Sequence, residues 1–428
     1  MTDVAVVGGG LGGCMAALTA VRDGAESVRV VAPSPERYRH ETGLIDVLGY
    51  VPDRETPVVR LSFEMRRLPD DHPYNLVGAK VVDEALETFD DLFVADDGLP
   101  YERGQSDRNA LFGTATGSVR PTSRYPESVS AGLLSDDRPV RLVGFEQLTH
   151  LGATLVGDRL AESVPYDVAA TSVDFPMTPS EYPPVVEFAR ALDRNEETAD
   201  GTPIREALAN EIRPELDVEP RVGVPAVLGL EESEAVRSEL ETDLQAEVFE
   251  IPIGRPNLPG MRLGRRLFEV LEAEGVIVDE GAPVVGVETA GERIENVSIA
   301  EDGTETEDTE QVRADTYVLA TGGLAAGGIE ADREGVSERV FDCHVPHPDG
   351  RENWTEAEPL GDHPFVEFGV NVDGELRPCG PDGTPEYDNL RAVGRVIGGR
   401  DFVAEQSTGG VAISTGYAAA LSALRDES

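Results

Sequence analysis

The residues whose types and spacing best suit chemistry stand near the N-terminus, where Gly8-Gly9-Gly10-Leu11-Gly12-Gly13 follows directly on the apolar run Val4-Ala5-Val6-Val7. Glycines in this pattern let a chain turn tightly out of a strand, bring bare backbone against a phosphate, and seat the next helix close to the sheet. Read so, Gly8 makes the turn, Gly10 admits the phosphate and Gly13 takes the helix contact, with the N–H groups of the first helical turn facing the anion. The alternative is a glycine-rich turn without a ligand, although glycine costs roughly 0.5 to 1 kcal/mol inside an element and needs a use to persist.

The elements around that loop decide whether the string means anything. A helix through Ala16, Ala17, Leu18 and Ala20, closing near Gly24, and a second strand at Val28–Val31 complete a strand–helix–strand unit in about 30 residues, the setting in which such a string is informative. An acidic residue is expected at the end of the second strand to hold the ribose hydroxyls of an adenosine. Ala32-Pro33-Ser34 stand there instead, and Glu36 comes late, so the loop favours a phosphate more than a full dinucleotide.

Further glycines recur where strands end. Tyr317-Val318-Leu319-Ala320 runs into Thr321-Gly322-Gly323, and Asn389–Val393 runs into Gly394, with Gly398-Gly399 beyond. Gly409-Gly410 opens a helix from Val411 to about Leu424, whose first amides would favour developing negative charge. Taken singly, each is an ordinary strand end or helix cap.

Between these pieces, residues 38 to 135 read as loops and short helices. Pro139–Gly144 reads as a strand followed by a helical stretch through Leu148 and Leu151, and Val222–Leu230 reads as a buried strand. Residues 193 to 220 read as charged loops with a helix. After Pro259, Met261, Leu263, Leu267, Val270 and Leu271 recur at helical spacing up to Gly275. Val276–Val278, Val284–Val287, Ile294–Ile299 and Thr316–Ala320 fit a strand meander with the acidic stretch 301–310 as its exposed turn. The organisation expected is a discontinuous phosphate-binding domain, residues 1–50 and 255–428, with an inserted α/β domain at 51–254 that lacks a phosphate loop of its own.

Composition bounds the setting. With 428 residues the chain exceeds the roughly 250 to 300 that one core organises, so two domains are expected. Asp and Glu total 82 against 36 Lys and Arg, for a net charge of -46, and Lys80 is the single lysine. Acids interspersed with apolar residues point to a folded protein of a halophile's cytoplasm, where molar salt screens repulsion within roughly 3 Å, rather than to a disordered acidic chain. At low salt such a surface repels nucleic acid and anionic lipid. Cys14, Cys343 and Cys379 are too few and scattered for disulfides or an iron–sulfur cluster. A first strand at Val4 leaves no room for a secretory signal, and runs such as Val318–Ile329 fall short of the roughly 18 residues that span a bilayer. Cys343-His344-Val345-Pro346-His347 reads as a loop rather than a metal site.

In this order the pieces resemble the flavoproteins built on an N-terminal glycine loop, a mid-chain Ala-Thr-Gly-Gly strand and a C-terminal glycine turn with a Gly-Gly helix. More narrowly the chain resembles the family of B subunits of anaerobic glycerol-3-phosphate dehydrogenase, of halophilic archaeal type. The features that carry this are Val7–Gly13, Gly43–Leu48, His72-Pro73-Tyr74, Gly113 with Arg120-Pro121-Thr122, Leu258–Arg262, Ala320–Leu324 and Asn389–Gly399. The resemblance implies an α/β Rossmann-like FAD/NAD(P)-binding flavoprotein fold with an inserted second α/β domain. It implies oxidation of sn-glycerol 3-phosphate to dihydroxyacetone phosphate, with electrons passed to the quinone pool. It also implies two partners from the same complex. One is a catalytic A subunit that carries FAD, and the other is an iron–sulfur, membrane-anchoring C subunit that holds the complex on the inner face of the cell membrane.

The cofactor contacts it implies are Gly8, Gly10, Gly13, Thr42, Gly43, Thr321, Gly322, Gly323, Gly394, Gly398, Gly399, Gly409 and Gly410. No residue is assigned to catalysis. Where FAD members carry a Gly-Asp pair on the ribityl chain, this sequence has Gly394-Arg395; with no acid after the second strand either, FMN is favoured, FAD being the alternative. Arg120 and Arg395 are candidates to face N1 of a flavin, against an ordinary salt bridge for each, and His40 and His72 for proton handling, against a loop hydrogen bond. A scaffolding subunit without cofactor and a stand-alone flavoenzyme are the competing readings.

Overall fold

Val4 to Val7 are buried on both faces of the sheet, the state that a short continuous apolar run is built for. They belong to β1 (Thr2–Val7), which leads through the glycine loop into α1 (Leu11–Arg22) and back as β2 (Val28–Ala32). The computed structural model describes residues 2–32, 38, 41–51, 54, 56–93, 101–104, 107–149, 151–252, 255–300, 309–359 and 361–425. Pro33, Ser34, Glu36, His40 and residues 301–308 lie outside the described residues.

Five parallel strands form the central sheet, in the order Ile277–Glu280, β2, β1, Ala314–Leu319, Leu390–Ala392. β1 is flanked on both sides, Val4 opposite Val28 and opposite Thr316, so its carboxyl end and those of its neighbours open on one edge. The C-terminal helix Thr408–Arg425 packs against α1, and Gly416 makes this possible: a Cβ there would lie 2.3 Å from Gly12 O. Helices at Leu61–Met65, Pro73–Val77 and Ala79–Phe93 share this core through Leu61, Tyr74, Phe89 and Phe93.

A second parallel sheet, in the order Val168–Val173, Val140–Phe145, Arg221–Pro225, Glu247–Ile251, carries its own core, with Phe175 stacked on Phe188 at 3.8 Å. Its helices are Ala153–Ala161, Val185–Arg194, Ile204–Ile212 and Ser233–Leu244. The helix Leu258–Ala273 joins the two cores: Leu258 belongs to the second, Leu263 and Leu267 to the first. From this helix Arg262 reaches the buried Glu250 of the second sheet through Nη1 (2.6 Å) and Nη2 (2.9 Å). Glu250 also accepts from Leu228 N (2.9 Å) and Ser128 Oγ (2.8 Å).

The Rossmann-like α/β fold with a second α/β sheet is therefore present, while three element readings change. The meander consists of Val284–Ala290, Arg293–Ala300 and Thr309–Val312; Ile277–Glu280 and Ala314–Leu319 leave it for the central sheet. Parallel pairing joins segments far apart in sequence, so the apolar pattern of those strands carries no mark of which sheet takes them. Leu148 and Leu151 are buried in turns, and the helix starts only at Ala153. The strand at Arg221 ends at Pro225, with Ala226–Leu230 continuing as buried turns, because Glu250 and Asp193 accept the N–H groups of Leu228 and Leu230 that a strand neighbour would have taken.

Candidate functional site

The loop after β1 is shaped by what its glycines exclude. Gly8 sits at φ 118°, a conformation open to glycine alone at little cost, and a Cβ there would lie 2.2 Å from Ala320 O. A Cβ at Gly13 would lie 2.0 Å from Gly8 O, so the third glycine seats the helix against the loop. Gly10 differs: its φ of -73° suits any residue, and the nearest atom to a Cβ is Ala320 O at 3.9 Å. Among the described residues nothing else comes within 4 Å of that position, and no side chain caps the N-terminus of α1.

The neighbouring strand ends close onto the same edge. Ala320 N donates to Val7 O (2.8 Å), and Val393 N to Leu319 O (2.9 Å), holding three strand ends together. Gly322 turns at φ 79°, and Gly323 lies against Arg395 O, which would be 3.0 Å from its Cβ. Gly394, at φ 68°, donates its N–H to Thr415 Oγ1 (2.9 Å) in the C-terminal helix. Gly12 meets Ala412 of that helix (3.2 Å to its carbonyl oxygen from a Cβ), so the two helix starts stand side by side.

The C-terminal helix is fixed at its start by the loop Gly43–Leu48. Asp46 O accepts from Gly410 N (2.8 Å), and the Cα of Gly410 is packed against Val47 and the hydroxyl of Tyr74. Gly409 abuts Asp46 N and O. Thr42 Oγ1 accepts from Leu44 N (3.3 Å), while Gly43, at φ 73°, packs on Pro259. Gly398 is used for packing, a Cβ there meeting Glu367 O and Gly369 at 2.7 Å, whereas Gly399, at φ 81°, has open space.

The site's electrostatics centre on one carboxylate that the sequence shows only as a member of a short motif. Asp46 is buried, 4% exposed, and Arg120 donates to its Oδ2 through Nε (3.1 Å) and Nη2. Burial pushes its carboxyl above the usual carboxylate range, and Arg120 pulls in the opposite direction. Arg120 thus makes a salt bridge. His72 caps the helix Pro73–Val77, its Nδ1 accepting from Tyr74 N (3.1 Å), so Nε2 carries the hydrogen that faces Glu405 Oε2 (3.3 Å). Arg395 is the one arginine among the described residues that is half-buried yet makes neither hydrogen bond nor ion pair.

Three buried polar atoms at this edge have no partner: Thr321 Oγ1, Asp46 Oδ1 and Gln406 Oε1. Buried polar atoms left single cost about 1 to 3 kcal/mol each, and together with the open cradle at Gly10 they fit a polar ligand laid along the strand ends. The loop Cys343–His347 is held by protein contacts, His344 N donating to Glu386 Oε1 (3.1 Å) and Oε2 (3.0 Å) and His347 Nδ1 contacting Val345 O (2.8 Å), and no cluster of three or more His, Cys, Asp or Glu capable of holding a metal occurs among the described residues.

Residues 3–411 match the model of the FAD binding domain family, and the chain belongs to that family: it is a flavoprotein of the oxidoreductase class. Its likeness is more particular than that. Over 433 residues, 100% of this chain and 99% of the other, it is 43% identical to the probable B subunit of anaerobic glycerol-3-phosphate dehydrogenase from Halobacterium salinarum. It is 28% identical over 438 residues, 97% of this chain and 94% of the other, to the B subunit of anaerobic glycerol-3-phosphate dehydrogenase from Vibrio cholerae. Among solved structures it is similar to 3-ketosteroid delta1-dehydrogenase from Sterolibacterium denitrificans, at 12% identity and a TM-score of 0.46, covering 99% of each chain.

Proposed function

We propose that this chain is the flavin-carrying B subunit of an anaerobic glycerol-3-phosphate dehydrogenase, working in the oxidation of sn-glycerol 3-phosphate to dihydroxyacetone phosphate with electrons sent on to quinone. The full-length likeness to relatives named for that subunit supports it, and the observation that carries it is the open cradle at Gly10 between two helix starts and three strand ends. A bound flavin takes up a hydride equivalent and can release its electrons singly. The protein's part is placement. Amides after Gly10 hold the phosphate, Thr321 through Gly323 and Gly394 let the ligand run close to backbone, and the start of the C-terminal helix at Gly409-Gly410 faces the ring edge where negative charge gathers. Thr42, Gly43, Gly398 and Gly399 shape the loops that border it.

The family match speaks for FAD. FMN is favoured by two features of the chain itself: β2 ends on Ala32 without an acid, and Arg395 stands where the resemblance implies an acid for FAD. Arg395, unpaired in so acidic a protein, is the cation proposed to face the ligand's negative end. Residues 1–50 and 255–428 form the flavin-holding part in this reading, and 51–254 the insertion, whose first helices, Leu61–Met65, Pro73–Val77 and Ala79–Phe93, pack into the core of the flavin-holding part.

No helix among the described residues is long and apolar enough to cross a membrane, so attachment to the inner face of the membrane falls to a partner, an iron–sulfur C subunit, working beside a catalytic A subunit that carries FAD. The test is to isolate the complex from its native cell by a tag on this chain. Co-purification of two further subunits, and reduction of this chain's flavin by glycerol 3-phosphate, is expected. A chain that purifies alone and whose flavin stays oxidised in the presence of that substrate contradicts the proposal.

A further inference from the structure

Asp46 presents a combination that the placement of a flavin does not by itself require. Its Oδ2 is doubly held by Arg120, while Oδ1, on a residue 4% exposed, has no partner. The Thr122 hydroxyl stands close enough to act on the carboxyl and to pull against the effect of burial, while also donating to Arg124 O (3.3 Å). The residue's own backbone is fixed at the start of the C-terminal helix, with Asp46 O taking the Gly410 N–H and Gly409 resting on Asp46 N and O. The backbone of Asp46 is therefore fixed at the start of that helix, while its carboxyl is turned to Arg120 through Oδ2 and leaves Oδ1 without a hydrogen-bond partner of its own.

The charged and titratable groups facing it are few. Arg120 comes from the strand Val119–Thr122, Tyr74 from the helix Pro73–Val77, and Glu41 from its own loop; Glu405, bonded to His72, acts with Asp46 on Tyr74. Burial raises the Asp46 carboxyl and drives Tyr74 well above the ordinary phenol range, so Tyr74 stays neutral and Asp46 is the group with a proton to gain. Arg120 is 27% exposed at its side chain, which puts the pair one residue from solvent.

We propose that Asp46 is a redox-linked proton site: one proton passes from solvent to Oδ1 when two electrons settle on the bound flavin, and returns to solvent when they leave. The inference rests on the flavin reading above. An added negative charge near a carboxylate raises its proton affinity, and a proton on Oδ1 leaves both hydrogen bonds from Arg120 to Oδ2 in place. Once Asp46 is neutral, the charge of Arg120 is left to face the charge that has arrived. The electrons come from whatever reduces the flavin, dithionite in the test below.

The experiment is a redox titration of the flavin-loaded protein with dithionite across a pH series, comparing wild type with Asp46→Asn. Over the interval where Asp46 titrates, the wild-type reduction equilibrium is expected to change tenfold more per pH unit than that of the variant, equal to about 30 mV for a two-electron couple. Equal slopes with flavin bound in both overturn this inference alone; a wild-type chain that takes up no flavin overturns the flavin reading as well. Should Asp46→Asn fail to fold, the reduced-minus-oxidised infrared spectrum of wild type decides. A protonated-carboxyl band that grows on reduction and shifts with labelled aspartate supports the proposal, and no such band overturns it.

Discussion

Gly10 separates the fold from the ligand more cleanly than any other position in the loop. Its backbone, at φ -73° and ψ 171°, is ordinary extended chain, the residue is exposed, and among the described residues a Cβ meets nothing nearer than 3.9 Å. Gly10→Glu should therefore leave stability within about 0.5 kcal/mol, as at other open surface positions. Its effect on a bound phosphate is large. Two unit negative charges about 4 Å apart at an effective dielectric of about 20 repel by roughly 4 kcal/mol, about a thousandfold in affinity. In molar salt, where screening acts within roughly 3 Å, we expect the loss to shrink toward about tenfold. The assay is fluorescence titration of flavin into stripped protein at two salt concentrations, with thermal melts alongside. Gly13→Ala is the contrast: its methyl would sit 2.0 Å from Gly8 O, so melting should fall with binding. Unchanged flavin affinity in Gly10→Glu at both salt concentrations would refute the placement of the phosphate.

Arg262→Met should destabilise the protein by about 3 to 5 kcal/mol in chemical denaturation, since it strands the fully buried Glu250 carboxylate between the two cores; adding Glu250→Gln should recover part of the loss, and no recovery would count against the pair as the cause. Hydrogen bonds from Arg138 hold Asp136 and Glu247 below the usual carboxylate range. Carboxylates lowered in the folded state add stability above their unfolded pKa and lose it as pH falls through the folded value, so Arg138→Ala should melt earlier than wild type near neutrality and converge with it in acid; a gap that persists in acid would contradict this. Burial pushes the Cys14 thiol up to about 12 and raises those of Cys343 and Cys379, all three being buried. With about one Cys14 in ten thousand ionised near pH 8, native protein should resist alkylation that unfolded protein accepts, and rapid native labelling would show the packing at Gly9 and Tyr38 to be wrong.

Local physics made part of this legible in the sequence. A glycine loop between an apolar strand and a helix depends on neighbours in the chain, and Gly8 makes the turn and Gly13 the helix contact as their spacing requires, with Gly10 left open among the described residues. The ends of the strands at Leu319 and Ala392 were readable for the same reason. What stayed hidden depends on partners distant in the chain. Ile277–Glu280 and Ala314–Leu319 look like meander strands until their parallel neighbours are known. Asp46 read as one letter of a motif, because its burial, its ion pair with a residue 74 positions away and its place at a helix more than 350 residues on arise only in the folded chain. A signal was present all the same: an acid between Ile45 and Val47 in an apolar stretch is costly unless paired, and Arg120 stands in Arg120-Pro121-Thr122, another of the short strings that carry the resemblance.

The proposed function requires that the edge bounded by Gly10, Thr321 and Gly409 hold a flavin. Mass spectrometry of the small molecule released from protein purified from its native cell tests it most directly. One flavin per chain is expected, with the mass of FMN, or of FAD on the alternative reading. Natively purified protein that releases no flavin of either mass would contradict it.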